Sequence, residues 1–481
     1  MQAAGSKDIP LRSVFPERFR CAAGQENQSA YMNQEKEQKD VSKLPAEYLA
    51  GMAELLGDEY PAFLATYEKP PVRGLRFRTG KARPETIAAL KSAWRLNPVA
   101  WCAEGFRYSE EQADGSVLRP GKSPYHDAGV YYIQEPSAML PAASARLTGR
   151  EAVLDLCAAP GGKSTQAAVG AGFLVSNEYV PKRARILSSN LERMGITNAL
   201  VTTADSQRLL EAFPCFFDRI LVDAPCSGEG MMRRDEMAIA EWSVENVARC
   251  VLRQREILEN AAGMLRDGGL LIYSTCTFEP AENGWQLRRF LHLHPEFRLC
   301  SEEQLFPHKA EGEGHYCAVL QKQESGGSQS QAPNAELLPA YFAQDMPSEA
   351  EVERALQEAK ARCAAAHVSV LRCGLVQGSW MTGKVKGARR YEPSHAEILA
   401  GKGPASRARL NLKQEALALR YLRGEALNLS DLAAEDFALS NPEQTADGFL
   451  TVCYDGYPLG AGKLVGQTVK NHYPKGLRHL T

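Results

Sequence analysis

Through its first forty residues the chain shows no regular spacing of apolar positions, and Y-M-N-Q-E-K-E-Q-K-D has no face to bury. Met32 stands just ahead of the first helix-forming sequence, so residues 1–42 read as a flexible extension or as the product of a mis-assigned start. From Leu44, L-P-A-E-Y-L-A-G-M-A-E-L-L-G carries apolar residues at helical spacing, and Pro84-Glu85 opens a second helix running to Trp94. Between them G-L-R-F-R-T alternates like a strand, with Leu75 and Phe77 on one face and Arg76 and Arg78 on the other. Residues 43–133 therefore form a small α+β module.

The rhythm then changes. V-L-D-L-C (153–157), F-L-V-S-N-E-Y (173–179), A-L-V-T-T-A-D (199–205), R-I-L-V-D-A-P (219–225) and G-L-L-I-Y-S-T-C (269–276) are strand-like runs separated by helical ones. Pro181 stands at a favoured first-turn position, and a long helix is expected over roughly 245–266. Alternating strands and helices imply right-handed crossovers and a parallel sheet, so residues 134–322 read as one Rossmann-like α/β domain. Such sheets bind ligands beyond the carboxyl ends of their strands. Asp155, Cys157, Glu178, Asp205, Asp223, Cys226 and Cys276 all fall there.

Residues 323–345 have linker composition, with Q-E-S-G-G-S-Q-S-Q-A-P-N-A at their start. A first C-terminal domain is expected over 346–423, with a helix near 349–366, a short β-like stretch and the basic run G-K-V-K-G-A-R-R-Y. Residues 424–481 read as a small β-rich module. No internal repeat is present.

Composition narrows the class. At 481 residues, 44% hydrophobic and 24% charged, the chain has the make-up of an ordinary globular protein with about three units. It has no apolar run of membrane-spanning length, and the first thirty residues lack the pattern of a secretory signal. Twelve cysteines without a CxxC suggest reduced thiols in the cytoplasm rather than disulfides or a metal site. The net charge of −2 conceals a basic tail: from residue 367 onward 15 Lys and Arg face 10 acids.

The glycine turn C-A-A-P-G-G-K-S-T misses the phosphate-loop pattern, because Cys157 stands where that loop needs its first glycine. An aspartate on the preceding strand, Asp155, suits a loop that meets a zwitterionic amino-acid moiety at a helix N-terminus. Glu178 is placed to hydrogen-bond ribose hydroxyls, and Asp205 to accept from an exocyclic amine of adenine. Each acid alone could be a solvated strand end. Three at successive strand ends suit S-adenosylmethionine better than a nucleoside triphosphate or a dinucleotide.

Most of the cysteines read as small hydrophobes: Cys102, Cys215, Cys250, Cys300, Cys317, Cys363, Cys373 and Cys453, with Cys157 under the cofactor loop. Cys226 and Cys276 differ, since each sits among Ser, Thr, Gly and Pro at a strand end. A thiol is intrinsically nucleophilic, and Lys163 nearby would favour its ionised form. Carbon 5 of a pyrimidine accepts a methyl group only after a nucleophile has added to carbon 6. One thiol to add, a carboxyl at ring nitrogen 3 and a second thiol to assist release meet that need, and Asp223, Cys226 and Cys276 match it. The base must be turned out of its stack or lie in a single strand.

D-L-C-A-A-P-G-G-K, D-A-P-C-S-G-E-G and S-T-C-T-F resemble the motifs of the Sun family of RNA cytosine-carbon-5 methyltransferases. Y-I-Q-E-P-S-A-M-L-P (132–141) and G-E-G-H-Y (312–316) are similar to that family's flanking segments. R-R-Y-E-P-S-H-A, D-G-Y-P-L-G-A-G-K and K-N-H-Y-P-K-G-L-R resemble its RsmF-type branch, whose tail is PUA-like. The resemblance runs from about residue 43 to the end. It implies an S-adenosylmethionine-dependent methyltransferase core, an RNA-binding N-terminal module and a PUA-like RNA-binding module over 424–481. Carried over by position, Cys157, Ala158, Ala159, Pro160, Gly161, Gly162, Lys163, Glu178, Asp205 and Asp223 would contact the cofactor. Cys276 would be the nucleophile and Cys226 the thiol assisting release, with Asp223 and Lys163 beside them.

The implied partner is RNA, small-subunit (16S) ribosomal RNA or the subunit itself before transfer RNA, with no DNA and no membrane. A monomer is expected. Lys384, Lys386, Arg389 and Arg390 offer phosphate contacts and Tyr391 a stacking ring, with His472, Tyr473, Lys475 and Arg478 as a second set.

Overall fold

The computed structural model describes residues 41–112, 115–323, 341–342, 346–382 and 389–479. The expected extension over 1–42 lies almost wholly outside them, as do Lys384 and Lys386 of the basic run.

The first unit pairs the helices Ala46–Leu56 and Pro84–Ala93 with an antiparallel sheet. Its strands are β1 Arg73–Phe77, β2 Asn97–Val99, β3 Cys102–Tyr108 and β4 Tyr131–Ile133, in the order β2-β3-β1-β4. The alternation in β1 does its expected work, sending Leu75 and Phe77 into an apolar cluster. Its other face is not solvated, because Arg76 is buried against the next unit.

The central sheet has eight strands: β5 Ala152–Asp155, β6 Phe173–Asn177, β7 Ala199–Thr203, β8 Phe217–Asp223, β9 Leu265–Thr275, β10 Phe297–Leu305, β11 His315–Lys322 and β12 Ser369–Cys373. They lie in the order β10-β11-β9-β8-β5-β6-β7-β12. Strands β5 to β9 run parallel, while β10, β11 and β12 are added antiparallel at the two sides. The chain winds outward from β5 through β6 to β7 and then returns to β8 on the other flank of β5. That reversal opens a crevice at the carboxyl ends of β5 and β8. Both faces are covered, so every residue of β5 and β6 is buried, as the continuous apolar runs imply. The 21-residue helix Val244–Met264 begins where Ser243 accepts from the Asn246 amide at 3.0 Å, a cap worth about 1 kcal/mol.

Two expected boundaries move. The helix Glu349–Ala365 and β12, expected to open a first C-terminal domain over 346–423, complete the central sheet instead. Ala355, Leu356, Ala359 and Cys363 bury one helix stripe in its core, and β12 covers the β7 edge. Tyr341 and Phe342, within the segment expected as a linker, dock on Phe173, and the Tyr341 amide donates to Asp218 Oδ2 at 2.9 Å. The last unit also starts before residue 424. Its sheet runs β16 (Leu427–Asn428), β20 (Thr468–Asn471), β19 (Tyr457–Val465), β18 (Phe449–Tyr454), β15 (Arg409–Leu412), β17 (Phe437–Ser440), with β15 inside it and parallel to β18. A hairpin of β13 (Ser379–Thr382) and β14 (Arg389–Glu392) links the units.

First and last units share one apolar cluster, in which Leu75, Phe77 and Tyr131 join Leu410, Tyr421 and Leu459. Across the seam the Arg83 amide donates to the Tyr457 hydroxyl at 2.8 Å, and the Arg83 guanidinium pairs with Asp455 at 3.0 Å. No helix among the described residues is long and apolar enough to cross a membrane.

Candidate active site

The glycine turn follows β5 and leads into the helix Gly162–Gly170. Gly161 caps that helix at φ 111°, a left-handed conformation that a side chain would strain. Every backbone carbonyl from Ala159 to Gly162, save that of Gly161, is held from outside the turn. Arg183 donates to Ala159 O at 2.9 Å, Asn190 to Pro160 O at 2.9 Å and Arg76 to Gly162 O at 3.2 Å. Arg76 also reaches Thr165 Oγ1 at 2.9 Å and Gln134 Oε1 at 3.2 Å, so one buried guanidinium ties the first unit to the turn.

Asp155 is shut off from solvent. Fully buried, it accepts from Ser164 Oγ at 2.6 Å, and Ser176 in turn donates to Ser164 at 3.0 Å. Burial pushes its carboxyl up to about 7, against the pull of the Ser164 hydrogen bond. Glu178 ends β6 with one oxygen accepting from the Val180 amide at 2.9 Å and the other 3.3 Å from Arg183. Asp205 caps the helix Ser206–Ala212, accepting from the Arg208 amide at 2.9 Å, and stays half-exposed. Cys157 is half-buried below the turn, its thiol pushed up by burial.

Around the thiols the geometry is close. Cys226 Sγ and Cys276 Sγ lie 3.4 Å apart, and Lys163 Nζ donates to Asp223 Oδ2 at 2.7 Å. Ser274 Oγ donates to Asp223 Oδ1 at 2.9 Å, and His315 Nε2 sits 3.5 Å from the same oxygen. Burial would raise the Asp223 carboxyl, but Lys163 and His315 outweigh it and hold the group well below the usual carboxylate range. Burial would lower Lys163, but Asp223 overcomes it and holds the ammonium above its ordinary value. The pair is therefore ionised. Burial and Lys163 keep His315 below its ordinary value and neutral, although Asp223 pulls it up. The Cys226 thiol is pushed up by its hydrogen bond with Cys276 and by burial.

Groups beyond the two thiols hold the two thiol loops together. Glu282, fully buried, accepts from the Ser227 amide at 3.1 Å and from Gln254 at 2.7 Å, and Gln254 donates also to Pro225 O at 3.0 Å. Ser227 and Thr277 hydroxyls meet at 2.7 Å, and Glu229 accepts from the Phe278 amide at 2.9 Å. Gly230 donates to Cys276 O at 2.8 Å; a side chain there would meet the carbonyls of Cys276 and Gly314 at 2.9 Å. Gln254 and Glu282 stand in stretches with no motif of their own. Ser227, Glu229 and Gly230 lie inside D-A-P-C-S-G-E-G, Thr277 inside S-T-C-T-F, and His315 inside G-E-G-H-Y.

The expected RNA contacts of the tail need correction. Tyr391 is buried, with its hydroxyl bonded to Glu397, and cannot stack on a base; the exposed ring of the hairpin is Trp380, opposite it. Tyr473 is buried too, donating to Asp127 at 3.2 Å, whereas Arg389, His472 and Lys475 are exposed. The neighbouring charges suggest surface rings, but each aromatic fills an apolar gap. Cys215 and Cys300, expected inside, are exposed, one in a turn before β8 and the other on the outer edge strand β10.

Comparison with known proteins covers nearly all of this architecture. Residues 144–324 match the family described as 16S rRNA methyltransferase RsmB/F. Residues 44–136 match the N-terminal domain of 16S rRNA methyltransferase RsmF, and 413–479 the methyltransferase RsmF PUA domain. Ribosomal RNA small subunit methyltransferase F of Erwinia tasmaniensis is 32% identical over 476 residues, covering 90% of this chain and 96% of that protein. The protein of the same name from an Enterobacter strain is 33% identical, covering 90% and 95%. Among solved structures, a methyltransferase homologue from Pyrococcus horikoshii aligns with a TM-score of 0.51 at 25% identity, over 59% of this chain and all of that one. NSun6 from the same organism, crystallised with SFG, aligns at 0.52 and 19% identity, covering 58% and 99%, and shares the fold.

Proposed function

The chain belongs to the RsmB/F family of methyltransferases, and from that membership we propose that it methylates carbon 5 of a cytosine in small-subunit (16S) ribosomal RNA. It is an RNA methyltransferase that uses S-adenosylmethionine. The residues at the crevice suit that cofactor. Glu178 ends β6 as a buried acid, the turn 157–163 offers a helix N-terminus, and Asp205 keeps half its carboxyl open.

The observation that carries the finer reading is the 3.4 Å approach of Cys226 and Cys276 beside the ionised Lys163–Asp223 pair. Cys276, as the thiolate, adds through sulfur to carbon 6 of the base, and the electron density gained passes to carbon 5. Bound S-adenosylmethionine would supply the electrophilic methyl group that carbon 5 takes up, its sulfur–methyl bond breaking to leave S-adenosylhomocysteine. The carbon-5 proton then leaves to a base, the ring double bond re-forms, and the sulfur–carbon bond breaks with its electron pair returning to Cys276. Cys226, 3.4 Å from Cys276, assists that release.

Asp223, held as an anion, accepts hydrogen bonds and does not donate them. It therefore suits the exocyclic amine of cytosine, while the Lys163 ammonium is the donor available to ring nitrogen 3. Uracil would set a carbonyl against the carboxylate, and the pair disfavours it. Incubating the protein with small-subunit rRNA and methyl-labelled S-adenosylmethionine, then digesting to nucleosides, tests the reading. Label in 5-methylcytidine is expected; label in any other nucleoside would refute it.

A further inference from the structure

A cleft of about 640 Å³ opens between the first and last units and shares no residue with the thiol site. That size lies within the range of ligand clefts, about 300–1,000 Å³. Its walls are the C-terminal end of the helix Pro84–Ala93, the segment 116–125 and the helix Glu415–Leu422. The two units that border it share an apolar cluster.

Arg95, Arg119 and Lys122 line it, all three exposed, and Glu415 is the one acid among the lining residues. None of the three cations takes part in an ion pair among the described residues. Two half-buried rings lie between them. Trp94 rests edge-on against Tyr131 at 5.6 Å, and Tyr125 is anchored by its hydroxyl to Asp455 at 3.1 Å and by its ring to Tyr454 at 5.0 Å. Such cations, beside rings that are already held in place, are the parts from which single-stranded nucleic acid sites are built. A protein interface would carry few charges at its centre.

We infer that this cleft binds a single-stranded stretch of the substrate RNA away from the target base, with backbone phosphates on Arg95, Arg119 and Lys122 and a base against Trp94 or Tyr125. The inference rests on the functional reading above and deepens it. The groups that would touch RNA all lie in the first unit, and the last unit closes one wall and anchors Tyr125 through Asp455 and Tyr454. Phosphate contacts fix register without reading sequence.

The test uses the full chain, a transcript of small-subunit rRNA as probe, and the variant Arg95→Ala/Arg119→Ala/Lys122→Ala. All three side chains are exposed, so folding is checked simply by an unchanged melting midpoint. Transcript binding should weaken about ten-fold or more. The slope of log affinity against log salt should become shallower by about 2, at about 0.7 for each single-strand phosphate no longer neutralised. Calorimetric affinity for S-adenosylmethionine should not change. A variant that binds the transcript with the wild-type affinity and slope overturns the inference while leaving the functional reading intact. One whose affinity falls with the slope unchanged overturns the phosphate assignment. Wild-type protein that fails to bind the transcript overturns both readings together.

Discussion

Cys226 and Cys276 face each other across 3.4 Å from the ends of adjacent parallel strands, with Glu282 and Glu229 clamping the loops that carry them. That closeness gives the two thiols different fates on substitution. Replacing Cys276 with alanine should abolish methylation and any covalent complex. Replacing Cys226 should permit attack and stall release, leaving a slow-migrating, RNase-sensitive band on a denaturing gel. The double variant should behave like Cys276→Ala, since a sequential pair does not act additively. A band from Cys276→Ala and none from Cys226→Ala would reverse the roles.

Arg76 should act on the cofactor without touching it. Arg76→Lys keeps the charge but cannot reach Gly162 O, Thr165 Oγ1 and Gln134 Oε1 together. Leaving such groups unpaired costs about 1–3 kcal/mol, so S-adenosylmethionine affinity should fall roughly ten-fold or more. Calorimetry that finds the affinity unchanged would detach the first unit from the cofactor turn.

Asp205 has a structural duty to separate from its proposed one. Asp205→Ala removes the cap of the helix Ser206–Ala212 and should cost about 1 kcal/mol of stability, whereas Asp205→Ser keeps a capping oxygen. If the carboxylate also meets adenine, both variants should bind the cofactor more weakly. Equal affinity in Asp205→Ser and wild type would leave Asp205 a cap alone.

Stability should decline as pH rises from about 4 to 7. Burial lifts the carboxyls of Asp155 and Glu282 to about 7, so between their unfolded values, about 3.9 and 4.3, and 7 the native state holds protons that the unfolded state releases. Their favourable contribution is complete below about pH 4 and gone above pH 7. Asp223 works oppositely, its stabilisation being present above about 3.9 and lost as pH falls further. Asp155→Asn should flatten the decline by about 2–4 kcal/mol, read from denaturant midpoints at pH 5 and 8. Parallel pH profiles for variant and wild type would show that Asp155 does not titrate there.

Cutting the chain before residue 346 should damage the core rather than only remove an RNA-binding tail. The truncated protein loses Leu356, Ala359 and Cys363 from the central core and exposes the β7 edge, so insolubility or a sharply lower melting temperature is expected. A soluble truncation with the full-length melting temperature would contradict the assignment of β12 to the sheet.

These expectations mark where the sequence was readable. Strands β5 to β9 could be placed because buried parallel strands are continuous apolar runs, and the acids and thiols could be placed because chemistry sits at strand ends. The groups that aim those thiols were not readable. Glu282 lies 55 residues along the chain from Ser227 and 28 from Gln254, and no local spacing announces such a meeting. Strand β12 was hidden by a low-complexity stretch that looked like the end of a domain. Arg76 was seen on the right face of β1, but only packing reveals that another unit covers that face.

The apolar cluster that joins the first and last units also has a history in time. Leu75, Phe77 and Tyr131 leave the ribosome long before Leu410, Tyr421 and Leu459, which they need as neighbours. At about 5–20 residues per second, the nascent chain waits roughly 15–75 s before that surface is fully covered. During synthesis the leading end thus presents apolar surface of the kind that chaperones shield, and a pause late in translation would prolong the exposure.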